Sequence, residues 1–356
     1  MNRNDLGYVL ITPAHDESLF IGKAFQSVVS QTILPRLWVI VDDNSSDQTP
    51  EILDRYARTT EWIVALHTGK STFRAFPSKV YSFNAGYDYI TKKGVPYDLI
   101  GNLDADISFS ADYFEYLLAQ FYANPLLGVA GTDYLENDFH SARNTKASKC
   151  HVNGQCQLFR KECFDDIGGY KPIDFYGEDL FAIIMARYRG WETNSFSERV
   201  FLHHRPMGTK SAGVLVARFN HGRHEYVLGN SFLWQLLRAA YWTKNKPHVL
   251  GGIMLFLGYV WSFLRGNAIV LAPQVLKVYR REQYQRLRSI YKETLGRLRL
   301  RSLPSTRGKF ECRGDRTAAS ASNSIPGTLS KPPGRKTGLD VFPAAPKEAE
   351  RQCGLR

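Results

Sequence analysis

Apolar residues fall along this chain in short blocks whose spacing alternates between strand-like and helical. Tyr8-Val-Leu-Ile-Thr-Pro13 is a compact apolar run, and Ile21, Ala24, Phe25, Val28 and Val29 come after it at helical spacing. A second run, Leu37 to Val41, leads into an acidic loop and then Thr49-Pro-Glu, which opens a helix through Ile52, Leu53, Tyr56 and Ala57. A third strand is expected from Trp62 to Leu66, a helix from Val80 to Thr91, and a central strand at Leu99 to Leu103. Strand, helix, strand, helix predicts an α/β fold, a mostly parallel sheet with helices packed on its faces. Further on, Ala111 to Tyr122 reads as helix and Gly128 to Gly131 and Gly154 to Arg160 as strands. Leu180, Ile183 and Ile184 form the stripe of a helix closed by Gly190. Asp133 to Lys149 is polar and has no period to read.

The expected strand ends release acids. Asp42-Asp-Asn-Ser-Ser-Asp47 comes after the second strand, and Asp104 and Asp106 after the central one. In open α/β sheets ligands collect outside the carboxyl ends of the strands. Residues two apart on an extended segment share a face, so Asp104 and Asp106 could offer oxygens to one hard cation and leave room for phosphate ligands. A loop whose acids cap a helix starting near Ser110 fits the same residues. Glu178 and Asp179 stand at a helix start, where the macrodipole favours negative charge with or without chemistry. The first turn, Ala14-His-Asp-Glu-Ser-Leu, lacks the glycines of a dinucleotide-binding turn, and no phosphate-cradling Gly-x-x-x-x-Gly-Lys-Ser/Thr loop occurs. A nucleoside diphosphate would therefore need a metal on Asp104 and Asp106, leaving the early acids for ribose and base.

Six motifs occur in order: Pro13-Ala-His-Asp-Glu17, Val41-Asp-Asp-Asn-Ser-Ser-Asp47, Asn84-Ala-Gly86, Leu103-Asp-Ala-Asp106, Ile167-Gly-Gly-Tyr170 and Gly177-Glu-Asp-Leu180. Over about the first 205 residues this resembles the family 2 glycosyltransferases of GT-A fold. The resemblance implies an inverting transfer from a nucleotide-sugar. Pro13, Glu17 and Asp43 would meet the base and ribose, Asp104 the ribose or donor sugar, and Asp106 would bind Mn²⁺ or Mg²⁺ on the diphosphate. Asp179 would be the general base, with Glu178 beside it. His203 and His204, in the run Phe201-Leu-His-His-Arg-Pro206, are placed like a histidine that closes the site in some relatives, which would make one of them a further metal ligand. Lys79 and Arg74 are candidates for phosphate. The processive-synthase signature Gln-x-x-Arg-Trp is missing, so transfer of a single sugar to a lipid-linked or polysaccharide acceptor is expected. UDP is the first expectation for the carrier, with GDP and dTDP open. The rivals are a sugar nucleotidyltransferase, whose Gly-rich basic loop is missing, and a non-catalytic nucleotide-sugar binding or interaction subunit.

The chain has 356 residues and a formal charge of +12. Leu276 to Arg301 holds nine Lys or Arg against two Glu around Leu276, Tyr284, Leu287, Tyr291 and Leu298, a basic amphipathic helix suited to an anionic membrane surface. No nucleic-acid module accompanies the charge, so nucleic acid is not an expected partner. Val249 to Leu264 is apolar but shorter than the roughly 20 residues a spanning helix needs, so a re-entrant or interfacial helix, or a dimer-forming hairpin, is expected there. The amino terminus, Met-Asn-Arg-Asn-Asp, has no apolar leader, and the cysteines form no Cys-x-x-Cys pair. The expectation is a cytoplasmic protein with reduced thiols, peripheral on the inner face of a membrane. The expected division is a catalytic domain over 1–215, a helical membrane-associated region over 216–301 and a disordered tail over 302–356.

Overall fold

The computed structural model describes residues 6–69, 78–137, 139–141, 149–173, 177–205, 213–244 and 247–302. Arg74 and the tail from residue 303 onward lie outside them. The chain runs β1 (Tyr8–Ala14), α1 (Ile21–Val29), β2 (Leu37–Asp42), α2 (Thr49–Thr59), β3 (Ile63–His67), α3 (Ser78–Lys93), β4 (Leu99–Leu103) and β5 (Ile107–Phe109). It continues α4 (Tyr113–Ala123), β6 (Leu127–Glu136), β7 (Phe139–His140), β8 (Cys156–Arg160), α5 (Lys161–Asp166), α6 (Glu178–Arg189) and β9 (Glu192–His203). Four helices come last: α7 (Gly213–Val227), α8 (Phe232–Trp242), α9 (Leu250–Leu264) and α10 (Pro273–Ser302).

Among the described residues the strands form one sheet in the order β3-β2-β1-β4-β8-β6-β9-β5, with β7 on β6. β3, β2, β1 and β4 are mutually parallel, as alternation with helices requires, so their carboxyl ends open on one rim. β8 enters antiparallel between β4 and β6, and β6 pairs β9 in parallel. The end of β9 then runs antiparallel to β5, setting His203 opposite Ile107 and therefore next to Asp106.

Alternate side chains of each strand serve opposite faces. Tyr8, Leu10, Trp38, Ile40 and Leu99 join the core under α1, α2 and α4, while Val9, Ile11, Val39, Val41 and Ile100 join the core under α3, α5 and α6. Gly86 lets α3 lie against the sheet: a Cβ there would sit 2.8 Å from Ile11 Cγ2 and 3.2 Å from Val41 Cγ2.

Helix α6 is held from two sides. Ala182, Ile183 and Ala186 face the sheet, and Ile184 packs with Leu271, Val275 and Tyr279 of the carboxyl-terminal helical stretch. Met1–Arg288 is one compact unit. Ser289–Arg356 is a second, described only where it forms the end of α10. No helix among the described residues is long and apolar enough to cross a membrane. Cys156 and Cys163 are buried free thiols, as expected.

Candidate active site

The β1–α1 and β2–α2 turns are stapled together by their own polar groups. Asp16 and Asn44 take left-handed backbone conformations with φ 53°, which short polar side chains tolerate. The Ser46 amide donates to Asp16 Oδ1 at 2.7 Å, the Ser18 amide to Asp47 Oδ2 at 3.0 Å, and the Glu17 amide to Thr49 Oγ1 at 2.8 Å. Burial alone would raise the Asp47 carboxyl, but donors from Ser18 and Thr49 hold it below the ordinary carboxylate range. Asp16 and Asp47 therefore fix the loops, while Pro13, Glu17 and Asp43 are carried on the rim they form. The Asp43 carbonyl is 2.8 Å from His15 Nδ1.

At the end of β4 the two central acids take different partners. Lys79, in the first turn of α3, donates to Asp104 Oδ1 at 2.7 Å, and Asn102 Nδ2 donates to the Gly154 carbonyl at 2.7 Å beneath them. A small cavity is lined by Lys79, Asn102, Gly154, Tyr170, Glu178 and Asp179. Gly154 permits this closure, since a Cβ there would lie 2.2 Å from Asp179 Oδ2. The Gly177 amide donates to Glu178 Oε2 at 2.9 Å. Burial opposes charge on Lys79, yet Asp104, Glu178 and Asp179 outweigh it and keep the ammonium protonated. Burial raises the Asp179 carboxyl above its ordinary range, against the Leu180 amide and Lys79. Glu178 is raised by burial and by Asp179 beside it. Asp104, Lys79, Glu178 and Asp179 thus form one electrostatic cluster.

Asp106 belongs to a neighbouring cluster. His203 Nε2 lies 3.6 Å from Asp106 Oδ2, and its Nδ1 is 2.7 Å from Glu136 Oε2. Burial would lower the His203 pKa, but Asp106 and Glu136 raise it. Arg205 makes a two-pronged pair with Glu17, at 2.9 and 2.5 Å, and its Nε lies 3.9 Å from Asp106. His204 turns elsewhere, its ring nitrogens facing Ser108 Oγ at 2.8 Å and Lys23 Nζ at 3.4 Å. So the fold brings Asp104, Asp106, Lys79, His203, Glu178, Asp179 and Glu17 onto one rim and leaves His204 outside. The residues that sequence reasoning passed over are Arg205 and Glu136. Arg205 stands in the same Phe201-Leu-His-His-Arg-Pro206 run as the two histidines, whereas Glu136 lies in the polar stretch without a period.

A divalent cation suits these donors. Asp106 could supply oxygen and His203 nitrogen, and a carboxylate behind a histidine, here Glu136, is the usual way to aim a ligating ring. Among the described residues no three acidic, His or Cys side chains form a ready-made cage. That is compatible with Mg²⁺ or Mn²⁺ held by one or two protein groups together with substrate phosphates.

Residues 9–175 match the profile described as glycosyl transferase family 2. No curated protein matches the chain. Among solved structures, the mannosyltransferase PcManGT from Pyrobaculum calidifontis, in complex with GDP-Man and Mn²⁺, aligns at 16% identity and TM-score 0.49, covering 78% of this chain and 79% of that one. S. aureus TarS 1-349 in complex with UDP-GlcNAc aligns at 14% identity and TM-score 0.48, covering 79% of each chain. GalNAc-T7 with UDP, GalNAc and Mn²⁺ aligns at 15% identity and TM-score 0.47, covering 66% of this chain and 50% of that one. Residues 9–175, which put Glu17, Lys79, Asp104 and Asp106 on one rim of the α/β sheet, carry the glycosyl transferase family 2 domain, and the chain is a glycosyltransferase.

Proposed function

We propose that this glycosyltransferase is metal-dependent and inverting, and that it moves a single sugar from a nucleoside-diphosphate sugar, UDP first, to a hydroxyl of a lipid-linked or polysaccharide acceptor. The observation that carries the reading is that acids from distant positions, Asp104 after β4 and Asp179 at the start of α6, share Lys79 in one cleft. Glu17, Asp43 and Pro13 would hold the nucleoside, Lys79 and Asp104 the diphosphate-sugar end, and Asp106 with His203 the metal. A bound Mn²⁺ or Mg²⁺ would offset the charge that grows on the departing diphosphate.

In the transfer step the acceptor oxygen attacks the anomeric carbon as the bond from that carbon to the diphosphate oxygen breaks. The nucleoside diphosphate leaves with the electron pair, the configuration inverts, and the hydroxyl proton passes to Asp179. A base buried among carboxylates holds that proton more strongly than an exposed aspartate, so proton transfer is more favourable near neutral pH. The catalytic part would be residues 1–215, and residues 216–301 would bring it to the inner face of a membrane, where the acceptor is presented. A screen of UDP-, GDP- and dTDP-sugars with Mn²⁺ tests the donor half. A matching donor should raise the melting temperature by mass action and then support hydrolysis or transfer. If no donor stabilises the protein, the nucleotide-sugar reading fails.

A further inference from the structure

Among the helices after the sheet, polar and small groups share the interior with a few apolar ones such as Leu228 and Leu255, and most of the large apolar groups of α8 and α9 stand outside. α8 buries only Gln235 and Ala239, while Phe232, Leu233, Leu236 and Leu237 are 44–59% exposed. In α9 the buried positions are Gly251, Gly252, Leu255, Gly258, Tyr259 and Ser262, four of the six small. Its exposed stripe is Leu250, Ile253, Leu257, Trp261 and Leu264, at steps of three and four residues and 44–73% exposed. The interior is knit by hydrogen bonds: Tyr279 and Gln283 donate to Asn230 Oδ1 at 2.8 and 2.9 Å, and Tyr259 donates to the Asn230 carbonyl at 2.8 Å. α7 and α9 cross with backbones almost touching, since a Cβ on Gly222 would fall 1.9 Å from the Leu255 carbonyl oxygen and one on Gly258 1.9 Å from that of Phe219. Close approach at glycines, with polar glue inside and apolar stripes outside, is how helices pack against hydrocarbon; helices facing water reverse the pattern.

The surroundings of the stripes say which partner covers them. Arg265 lies over the Trp261 ring at 4.7 Å and Arg218 over the Trp242 ring at 3.9 Å, pairing indole with guanidinium as at the polar border of a bilayer. Between Gly213 and Lys292 the sequence has twelve Lys or Arg and two Glu. Both acids are paired internally, Glu225 with Arg238 at 2.5 Å and Glu282 with Arg187 at 3.0 Å. A second copy meeting this face across a two-fold axis would set like charges against each other, whereas anionic phospholipid complements them. At about 1.5 Å per residue, α9 reaches roughly 22 Å, less than the ~30 Å hydrocarbon core, so it lies in the interface instead of crossing.

We infer that the exposed faces of α8 and α9 form a monolayer-inserting surface that seats the protein on anionic phospholipid. The sequence pointed to basic α10 and, for Val249 to Leu264, to an interfacial or re-entrant helix or a dimer-forming hairpin; here the apolar faces of α8 and α9 together make the insertion and the cations support it. The inference deepens the membrane part of the function proposed above. Vesicle binding needs no donor, so lost binding with intact donor-induced stabilisation would remove the surface and leave the transferase.

The full chain is sedimented with phosphatidylcholine vesicles and with vesicles containing one quarter phosphatidylglycerol. Binding should be at least about tenfold tighter to the second, the expected effect of several basic side chains near an anionic surface. Leu233→Glu with Leu237→Glu, and separately Ile253→Glu with Leu257→Glu, should each lower it by about tenfold or more while the melting temperature and donor response persist. Should those variants fold poorly, the wild type decides by itself: brominated acyl chains should quench its tryptophan fluorescence, and Trp261→Phe should remove part of the quenched signal. The surface is refuted by a wild type that ignores both vesicles, by glutamate variants that bind as well as the parent, or by light scattering of a dimer that the variants convert to monomer.

Discussion

Lys79 and Arg205 divide the acidic rim between them, Lys79 taking Asp104 and Arg205 taking Glu17 with Asp106 in reach. Glu17 and Arg205 expose only 8% and 16% of their side chains, so losing the guanidinium strands a buried carboxylate. Arg205→Ala should therefore cost about 3 kcal/mol in urea unfolding, as for a broken buried ion pair. Added Mn²⁺ alone should recover more stability in the variant than in the parent, because Arg205 supplies positive charge where the cation would bind. Equal responses would separate Arg205 from that site. For Asp179, deprotonation creates the base, so transfer should rise with pH through a midpoint above the ordinary carboxylate range and fall below it. That limb belongs to Asp179 and Glu178 jointly, since they interact. Asp179→Asn should lower kcat by about 10²–10⁴-fold and abolish the limb while donor-induced stabilisation stays; a full-rate variant would take Asp179 out of the chemistry. Asp104, Asp106 and Asp179 were readable because each stands at the junction of an apolar run and a polar turn. Arg205 and Glu136 were not, because they meet the site only through the β5–β9 and β6–β9 pairings, which local pattern does not carry.

At the scale of elements, α6 is the piece whose position matters most, and the helices after it in the chain help to set that position. Gly177, at φ 108°, opens the helix, and a Cβ there would lie 2.0 Å from His224 Nε2, so α7 abuts the turn that presents Glu178 and Asp179. Ile173, Val227 and Leu228 form a further cluster there, with Leu180 and Phe181 packed on it. Helix α7, which α9 crosses at Gly222 and Gly258, thus also buttresses the turn that carries Asp179. Gly258→Ala tests how far the α7–α9 contact governs this. The added methyl meets backbone, which cannot swing aside, and the two helices have to separate. Overpacking of this kind costs about 1–3 kcal/mol in chemical unfolding; an unchanged midpoint would show that the close crossing is not required. Apolar periods foretold α6 and α10, whereas α7 and α8 lie in a stretch for which only a helical character was expected. Such periods could not foretell that α8 turns its leucines outward, because a stripe has the same period whichever side it faces. Likewise the run Gly154 to Arg160 announced a strand, but its antiparallel entry between β4 and β6 depends on partners far away in sequence.

For the whole molecule, a boundary near residue 215 would allow the helices from α7 onward to fold independently of the sheet. Packing argues instead for one cooperative body, since Met1–Arg288 is a single compact unit and α6 is shared by both sides. Arg187 of α6 reaches Glu282 of α10 with its Nε 3.2 Å from both carboxylate oxygens and Nη2 3.0 Å from Oε2, and its Nη1 donates to the Cys150 carbonyl at 3.3 Å. With its side chain only 13% exposed, that guanidinium has little water to fall back on. Calorimetry of the full chain in mild detergent should therefore give one main endotherm, with equal calorimetric and van't Hoff enthalpies, moved upward as a whole by a matching nucleotide-sugar. Glu282→Gln should lower that transition by about 1.5–3 kcal/mol, the range for hydrogen bonds to charged groups. It should do so without splitting the endotherm, because the apolar contacts of Ile184 with Leu271 and Val275 remain. A second endotherm insensitive to donor would mean that the helical part is a separate domain attached to the transferase, and α6 would then owe its placement to the sheet alone.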